Sequence, residues 1–435
     1  MAQRVLAESP ELLAAIARFV ASADDLSALL RLSPRAHLPA PLCNLVLLAQ
    51  TVPIASLWPS VRYAALVTAD EVALATKVIG FFGHLQLDGR LSDAQRCLVN
   101  VSEVITVDYE VAASEAALWQ GDRVSTLTLR LAAGSSPAHL IAVARWVATA
   151  PRLTCVCLSF EHWTDMASLL VLAESINANP RIRTIALRGR SLPAVPDAMV
   201  MALARWIHRG HLSSMSLGNV QPRVPFMASS IGGALRSLKK LRELSLEDES
   251  AIAAAYFGHP TPLPLRRLSL RSKTGFHAWG VTTSLLNSHV VLPVLHTLQV
   301  GYAYLEPAML SALATAILRL PVLDELVLTC TGAKDPNLAE ALVRVLPRCK
   351  RLRRLALRNV LFDDARWWHV AAACPSLRYL CLRNAQLADD VAASWRLCCP
   401  RVRICCATAA CDIRRCEIPD AHPANGAIDP GIVGL

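Results

Sequence analysis

The sequence has few aromatic residues, 5% of the chain, and only 6 lysines against 38 arginines. Although 54% of its 435 residues are hydrophobic and its mean hydropathy is +0.38, no run of about 18 apolar residues is uninterrupted. The richest stretch, Leu42 to Trp58, is broken by Asn44, Gln50 and Pro53. That excludes a membrane-spanning helix of ordinary kind. The opening residues MAQRVLAESPELL lack the basic start and apolar core of a secretion signal. Neither G-x-x-x-x-G-K-[ST], G-x-G-x-x-G after a strand, H-E-x-x-H nor G-x-S-x-G is present. The net charge of +10 comes from arginines scattered along the chain, with no block of five or six like charges and no basic stretch interleaved with aromatics, which argues against nucleic acid as the partner. These absences set the expectation of a chain that acts in the cytoplasm or nucleus, engages no membrane, carries no cofactor and is not an enzyme.

Fourteen cysteines are too dispersed for a small disulfide framework, and without a signal sequence they read as small apolar packing residues in a reducing compartment. Six of them, Cys398, Cys399, Cys405, Cys406, Cys411 and Cys416, lie near the C-terminus ahead of His422. Their loose spacing lacks the two short C-x(2-4)-C knuckles of a zinc site, so no metal is expected.

What the chain does have is a phrase that returns. "VSTLTL" begins at Val124, "LTCVCL" at Leu153, "IRTIAL" at Ile182, "LSSMSL" at Leu212 and "LRELSL" at Leu241. It continues with "LRRLSL" at Leu265, "LHTLQV" at Leu295, "LDELVL" at Leu323, "LRRLAL" at Leu352, "LRYLCL" at Leu377 and a degraded "VRICCA" at Val402. The spacing averages about 28 residues, the signature of a solenoid. Alternation at the fourth and sixth positions suits a short strand, with the first packing from the preceding turn. Between phrases the apolar period becomes helical, as in Leu310, Leu313, Ala314, Ile317 and Leu318 before Pro321.

Strand then helix at this period resembles the leucine-rich-repeat family, specifically its helix-bearing, ribonuclease-inhibitor-like class, over about residues 124 to 407. The resemblance implies an α/β horseshoe with a parallel strand face inside and helices outside. The family's usual Asn or Cys three residues after the last strand leucine is replaced here by residues such as Glu161, Val220, Glu249 and Thr331, while Asn219, Asn359 and Asn384 stand one position earlier. Residues between the strand leucines are expected to point into the hollow: Arg130, Arg188, Glu243, Glu247, Arg267, Arg271, Glu325, Arg354, Arg358, Tyr379 and Arg383. Guanidinium groups beside an aromatic ring suit a carboxylate or phosphate, so Arg267, Arg271, Arg354, Arg358, Tyr379 and Arg383 form the candidate partner-binding face, for an acidic or phosphorylated protein. An ordinary solvated strand face is the plainer alternative.

Other residues favour packing. "ARW" recurs at 144–146, 204–206 and 365–367 at one repeat position, which points to tryptophans between helix and strand layers. "HRGH" at His208 to His211 has no third ligand and reads as a partly exposed surface pair.

The N-terminal segment differs from the rest. Ser9, Pro10 and Glu11 mark a helix start, Leu12, Leu13, Ile16, Phe19 and Val20 share one face, and a second helix carries Leu26, Leu29 and Leu30. This order is similar to the F-box motif over about residues 6 to 48, and the Cys-Pro-x-Leu-x-x-Leu-x-Leu phrase at Cys374 looks like the cysteine-containing repeats of F-box proteins. The resemblance implies that Pro10, Leu12, Leu13, Ile16, Phe19, Val20, Leu26 and Leu29 dock a Skp-type adaptor and so connect the chain to a cullin-RING ubiquitin ligase, with the repeats holding the substrate. The family's Leu before the Pro is Ser9 here, and its Arg-x-Trp after the second helix is replaced by "PRAHLPAP". The same apolar face would also serve as a cap for the first repeat, leaving a repeat scaffold or regulator, for example of a small GTPase. The expected divisions are 1–48 F-box-like, 49–123 linker and irregular early repeats, 124–407 solenoid, and a disordered 408–435 tail without apolar period.

Overall fold

The computed structural model describes residues 10–17, 20, 23–31, 37–82, 84–87, 96–108, 123–131, 137–160, 166–189, 197–220, 222, 224–259, 261–272, 291–302, 307–330, 341–342, 344–358, 374–383 and 402–405. The alternating phrases form strands, and all of them join one parallel sheet in sequence order. Its fourteen strands are β1 (Val61–Arg62), β2 (His84–Leu87), β3 (Val104–Asp108), β4 (Thr126–Leu131), β5 (Cys155–Phe160), β6 (Thr184–Gly189) and β7 (Ser214–Gly218), followed by β8 (Glu243–Glu247), β9 (Arg267–Arg271), β10 (Thr297–Tyr302), β11 (Glu325–Cys330), β12 (Arg354–Arg358), β13 (Tyr379–Arg383) and β14 (Arg403–Cys405).

Helices fill the returns between strands. Ahead of the sheet come α1 (Pro10–Ala17), α2 (Ala23–Arg31) and α3 (Ala40–Leu48). Within it lie α4 (Ala69–Phe82), α5 (Arg96–Val101), α6 (Pro137–Thr149), α7 (Met166–Ala178), α8 (Asp197–Arg209), α9 (Ala228–Ser237), α10 (Ser250–Phe257) and α11 (Pro307–Leu318). Successive helices pack on one another, α6 on α7, α8 on α9 and α9 on α10. The last contact is close because Gly232 faces α10, where a Cβ would come within 2.7 Å of the Ala255 Cβ. This is the α/β leucine-rich-repeat solenoid that the period predicts.

The register shows why the phrase has its form. Leu127, Val156, Ile185, Met215, Leu244, Leu268, Leu298, Leu326, Leu355 and Leu380 are paired neighbours along the sheet, and each is buried. The first residue of each phrase, from Val124 to Leu377, is buried as well. Each such side chain removed from water contributes roughly 1.5–3 kcal/mol, so the core is a row of small, similar terms.

Between repeats a backbone ladder recurs. Each carbonyl at the second position of a phrase accepts two N–H groups from the next: Ser125 O from Thr154 and Cys155, Arg183 O from Ser213 and Ser214, Asp324 O from Arg353 and Arg354. Beyond the strands the family's asparagine is replaced by other stitches. Asn219, with φ 55°, donates from Nδ2 to the Gly189 carbonyl at 3.0 Å, and Ser272 donates to Asp248 at 2.7 Å. Glu249, at the ladder position itself, accepts the Val220 N–H.

Three findings sharpen the sequence reading. The stretch expected as linker and irregular early repeats holds β1, β2 and β3 in its described parts, with Val61, Leu85, Ile105 and Leu127 following at intervals of 24, 20 and 22 residues. These early repeats carry the phrase in weaker form, with Phe82 at its first position before Leu85 and Ser102 before Ile105. The final copy starts one residue earlier than "VRICCA", because Leu380 pairs with Ile404 and not with Cys405. Trp146 and Trp206 are buried, as packing requires, while Trp367 lies outside the described residues.

At the N-terminal end Leu13, Ala17 and Leu26 are 0% exposed and belong to the core that continues through Leu42, Leu57 and Trp58 into the strands. Val20 and Leu29 pack against it. Trp58 Nε1 donates to the Val20 carbonyl at 2.7 Å, and its ring meets Phe82 edge-on at 4.7 Å. Among the described residues no helix is long and apolar enough to cross a membrane.

Candidate functional site: the open face of the sheet

Because strand side chains alternate, the residues between the buried leucines stand on the face away from the helices. Parallel register lines them up in three rows. One runs Thr126, Cys155, Thr184, Ser214, Glu243, Arg267, Thr297, Glu325, Arg354, Tyr379. A middle row runs from Thr128 through Ser216, Ser245 and Ser269 to Val327, Ala356 and Cys381. The third runs Arg130, Ser159, Arg188, Gly218, Glu247, Arg271, Gly301, Thr329, Arg358, Arg383. The inward set predicted from the phrase thus occupies the first and third rows.

Over β6 to β9 the charges alternate. Arg267 Nε lies 3.7 Å from Glu243 Oε1. In the third row Gly218 leaves space that its neighbours use: a Cβ there would meet Glu247 Oε2 at 3.7 Å and Arg188 Cγ at 3.8 Å. Gly301 does the same for Arg271, whose Cγ would be 3.4 Å away. Long side chains of opposite sign therefore share one shelf.

Over β11 to β13 the pattern changes. Glu325 accepts a hydrogen bond from Thr297 Oγ1 at 3.1 Å, and Arg354 places its guanidinium carbon 5.7 Å from the Tyr379 ring centroid, a cation–π distance. The middle row becomes apolar, and Val327, Ala356 and Cys381 form a second buried cluster, 0–4% exposed, on this side of the sheet. Beside them Thr329 Oγ1 and Arg358 Nε are enclosed, and neither has a hydrogen-bond partner among the described residues. The open-face residues of β12 and β13 include no acid. Arg354, Arg358 and Tyr379 stand on neighbouring strands, with Arg383 in register beside Arg358 and its side chain outside the described residues; Arg267 and Arg271 stand on β9, three strands from β12, in the balanced region.

Two features went unread from the sequence as chemistry, although Glu249 stood there as a departure from the ladder. Cys155 and Cys157 share the face at β5 with their sulfurs 4.0 Å apart. The hydrogen bond between them, joined by the Arg188 charge and Thr128, holds the Cys157 thiol below its ordinary range. Glu249 is the other. Burial pushes its carboxyl up to about 8 against the opposing pull of the Val220 N–H, with Asp248 and Glu247 adding to the rise. Its Oε2 has no partner among the described residues.

The eight predicted adaptor-docking positions fall into three groups. Leu13 and Leu26 are closed inside the core, so the surface they would offer a partner is used within the chain. Ile16, Val20 and Leu29 are half-buried. Pro10 and Leu12 lie in α1 with side chains outside the described residues, and Phe19 lies outside them entirely. His208 is exposed and bonds Ser237 at 2.9 Å, whereas His211 is half-buried. Among the described residues no group of three His, Cys, Asp or Glu side chains is placed to hold a metal; the C-terminal cysteines other than Cys405, and His422, lie outside them.

No protein-family model matches the chain, and neither does any curated protein. Among solved structures it is similar to TLR13 in a TLR13–ssRNA13 complex, at 14% identity over 75% of this chain and 43% of that one, with a TM-score of 0.32. It is also similar to a leucine-rich-repeat protein of Leptospira interrogans, at 12% identity over 76% of this chain and 97% of that one, with a TM-score of 0.27. The chain spans less than half the length of the TLR13 chain. Likeness at this level carries no argument about ligand or partner, and the statement that this is a leucine-rich-repeat solenoid rests on its own period and register.

Proposed function

We propose that this chain is a non-enzymatic protein-interaction scaffold that receives an acidic or phosphorylated partner on the open face of its C-terminal repeats. The observation that carries the reading is the contrast in the charge rows: Arg354, Arg358 and Arg383 stand on adjacent strands with Tyr379 and without an acid among the open-face residues of β12 and β13. Guanidinium groups beside an aromatic ring suit carboxylate or phosphate recognition. Charge reversal at Arg354 and Arg358 should abolish binding of an immobilised glutamate-rich peptide, whereas reversal at Arg267 should leave most of it. Retention of binding by the double variant would sink the reading.

In this reading α1 and α2 serve as the cap of the solenoid, supported by the burial of Leu13 and Leu26 in its core. A second reading has the same helices docking a Skp-type adaptor, which would make the chain the substrate-recognition subunit of a cullin-RING ligase. It is supported by the F-box-like order of residues and by Ile16, which is half-buried and outside the core cluster. Mixing the full-length chain with a Skp-type adaptor and a cullin tests it directly. No co-elution removes the ligase reading, and co-elution lost on Ile16→Asp, in a variant that unfolds like the parent, establishes it.

A further inference from the structure

Cys155 and Cys157 stand two residues apart on β5, so both take the open face while Val156 and Leu158 are buried in the core. Their sulfurs are 4.0 Å apart, and both residues are half-buried and keep part of their surface in solvent, unlike Cys374 and Cys381, which are buried as packing residues. In the same two rows the neighbouring strands carry hydroxyls or a methyl group, Thr126 and Thr184 beside Cys155, Thr128 and Ala186 beside Cys157. A solvated strand face needs no sulfur there. The pair is also poorly placed to close on itself, because residues i and i+2 of an extended strand have Cα atoms about 6.6 Å apart, at the far end of the range that a disulfide spans. Two thiols held side by side, facing outward and kept from joining, have the form of a chelate.

We propose that Cys155 and Cys157 bind one soft monovalent cation of the Cu(I) class between their sulfurs. Thiolate sulfur selects soft ions, and a metal–sulfur bond of about 2.3 Å from each side closes over the 4.0 Å gap. The angle at the metal would then be about 120°, which leaves a third position on the solvent side for a small external thiol. Zinc fits poorly, since a structural zinc takes four protein ligands and the adjoining positions on β4 and β6 add no Cys, His, Asp or Glu. Charge fits as well: two thiolates on a monovalent ion leave one negative charge, and the Arg188 charge acts on Cys157. Two metal–sulfur bonds form, the S–H protons pass to solvent, and no electron is transferred. The site lies on β5, seven strands before β12, and does not depend on the acidic-partner reading.

The full-length chain, kept reduced and free of oxygen, would be alkylated with iodoacetamide at a series of free Cu(I) concentrations set by a colorimetric chelator, or with Zn(II), and each cysteine followed by peptide mass mapping. Following the residues one by one keeps the C-terminal cysteines from obscuring the result. Cys155 and Cys157 should react readily without metal, and Cu(I) should slow both by about ten-fold or more at one common concentration, while Zn(II) leaves them unchanged. Cys155→Ser should strip the protection from Cys157, and Cys157→Ser from Cys155, in variants that unfold like the parent because serine already occupies this face on β7. Arg188→Ala should weaken Cu(I) several-fold at both sulfurs. Sulfurs that react no faster than the buried Cys374 in the absence of metal would overturn the site, as would alkylation that Cu(I) does not slow. Protection of Cys157 that survives Cys155→Ser, or equal protection by Zn(II), would overturn it too.

Discussion

The sheet carries the same three rows of positions over β8–β9 and over β11–β13, yet the two regions treat charge in opposite ways. Around β8 and β9, Glu243 meets Arg267 across the register and Glu247 stands between Arg188 and Arg271, with Gly218 and Gly301 opening the shelf they share. Around β12 and β13, arginine follows arginine over an apolar floor. One region pairs opposite charges, and the other sets arginine beside arginine and Tyr379. A repeat fold makes this contrast easy to build, because a change at one open-face position leaves the buried leucines behind it untouched.

Four experiments would break or sharpen that contrast. The largest effect belongs to the core that both regions share: Leu244→Ala under β8 and Leu355→Ala under β12, each buried, should each cost about 2–5 kcal/mol in denaturant unfolding. A much smaller loss under β12 would mean that the two ends of the contrast do not rest on equal packing.

Next comes Glu249, just past β8. Its folded carboxyl is raised to about 8 from 4.5, so it holds a proton that the unfolded chain releases. Stability from this group is complete below pH 4.5 and is lost as pH rises to about 8. Glu249→Gln, which keeps an acceptor for Val220 but cannot ionise, should flatten the pH dependence of unfolding. It should raise stability at pH 7.5 by on the order of 1–3 kcal/mol. No difference between the variant and the parent across pH 5 to 9 would show that the carboxyl is not held neutral.

Salt separates the regions next. Binding of an acidic peptide to the β12–β13 end should fall at least ten-fold between low and high ionic strength, and Arg354→Ala should remove about 1–2 kcal/mol of it. Arg188→Ala, in the balanced region, should leave the affinity nearly unchanged. The smallest effect is Arg267→Ala: its ion pair is 3.7 Å long with both side chains a third or more exposed, and such pairs contribute about 0–1 kcal/mol. A larger loss of stability there would mean that the central charges hold the sheet together and do more than balance one another.

Much of this was legible in the sequence, and the residues show why. The phrase Leu-x-x-Leu-x-Leu reports burial directly, so the strands from Val124 onward and the inward set could be read from it. Tyr379 beside Arg354 follows from register alone. The early strands escaped a firm boundary because their phrases depart from leucine: the first position is Phe82 before Leu85 and the buried polar Ser102 before Ile105. Thr329 was not singled out because a threonine in a strand carries no chemical signal, and the enclosure of its Oγ1 beside Arg358 shows only in the fold. Glu249 was legible as a departure from the family pattern, but its protonation depends on the closure of α10 and the neighbouring turn around it. The N-terminal helices were legible as helices from their apolar period, while Ser9, expected to cap the first, lies outside the described residues. Whether such a face meets its own chain or another is a matter of contacts, which periodicity does not encode.

The doubled backbone bond at the entry to each strand bears on how the molecule would respond to force. Its acceptors are main-chain carbonyls from Glu103 to Arg353, so no side-chain substitution can delete them. The bonds between neighbouring parallel strands run along the stacking direction, and a pull applied there from the two ends would load one interface at a time. The expected record is a sawtooth of small, nearly equal steps, each releasing about 20 to 30 residues, with the shorter steps coming from the narrow turns near β1 to β4.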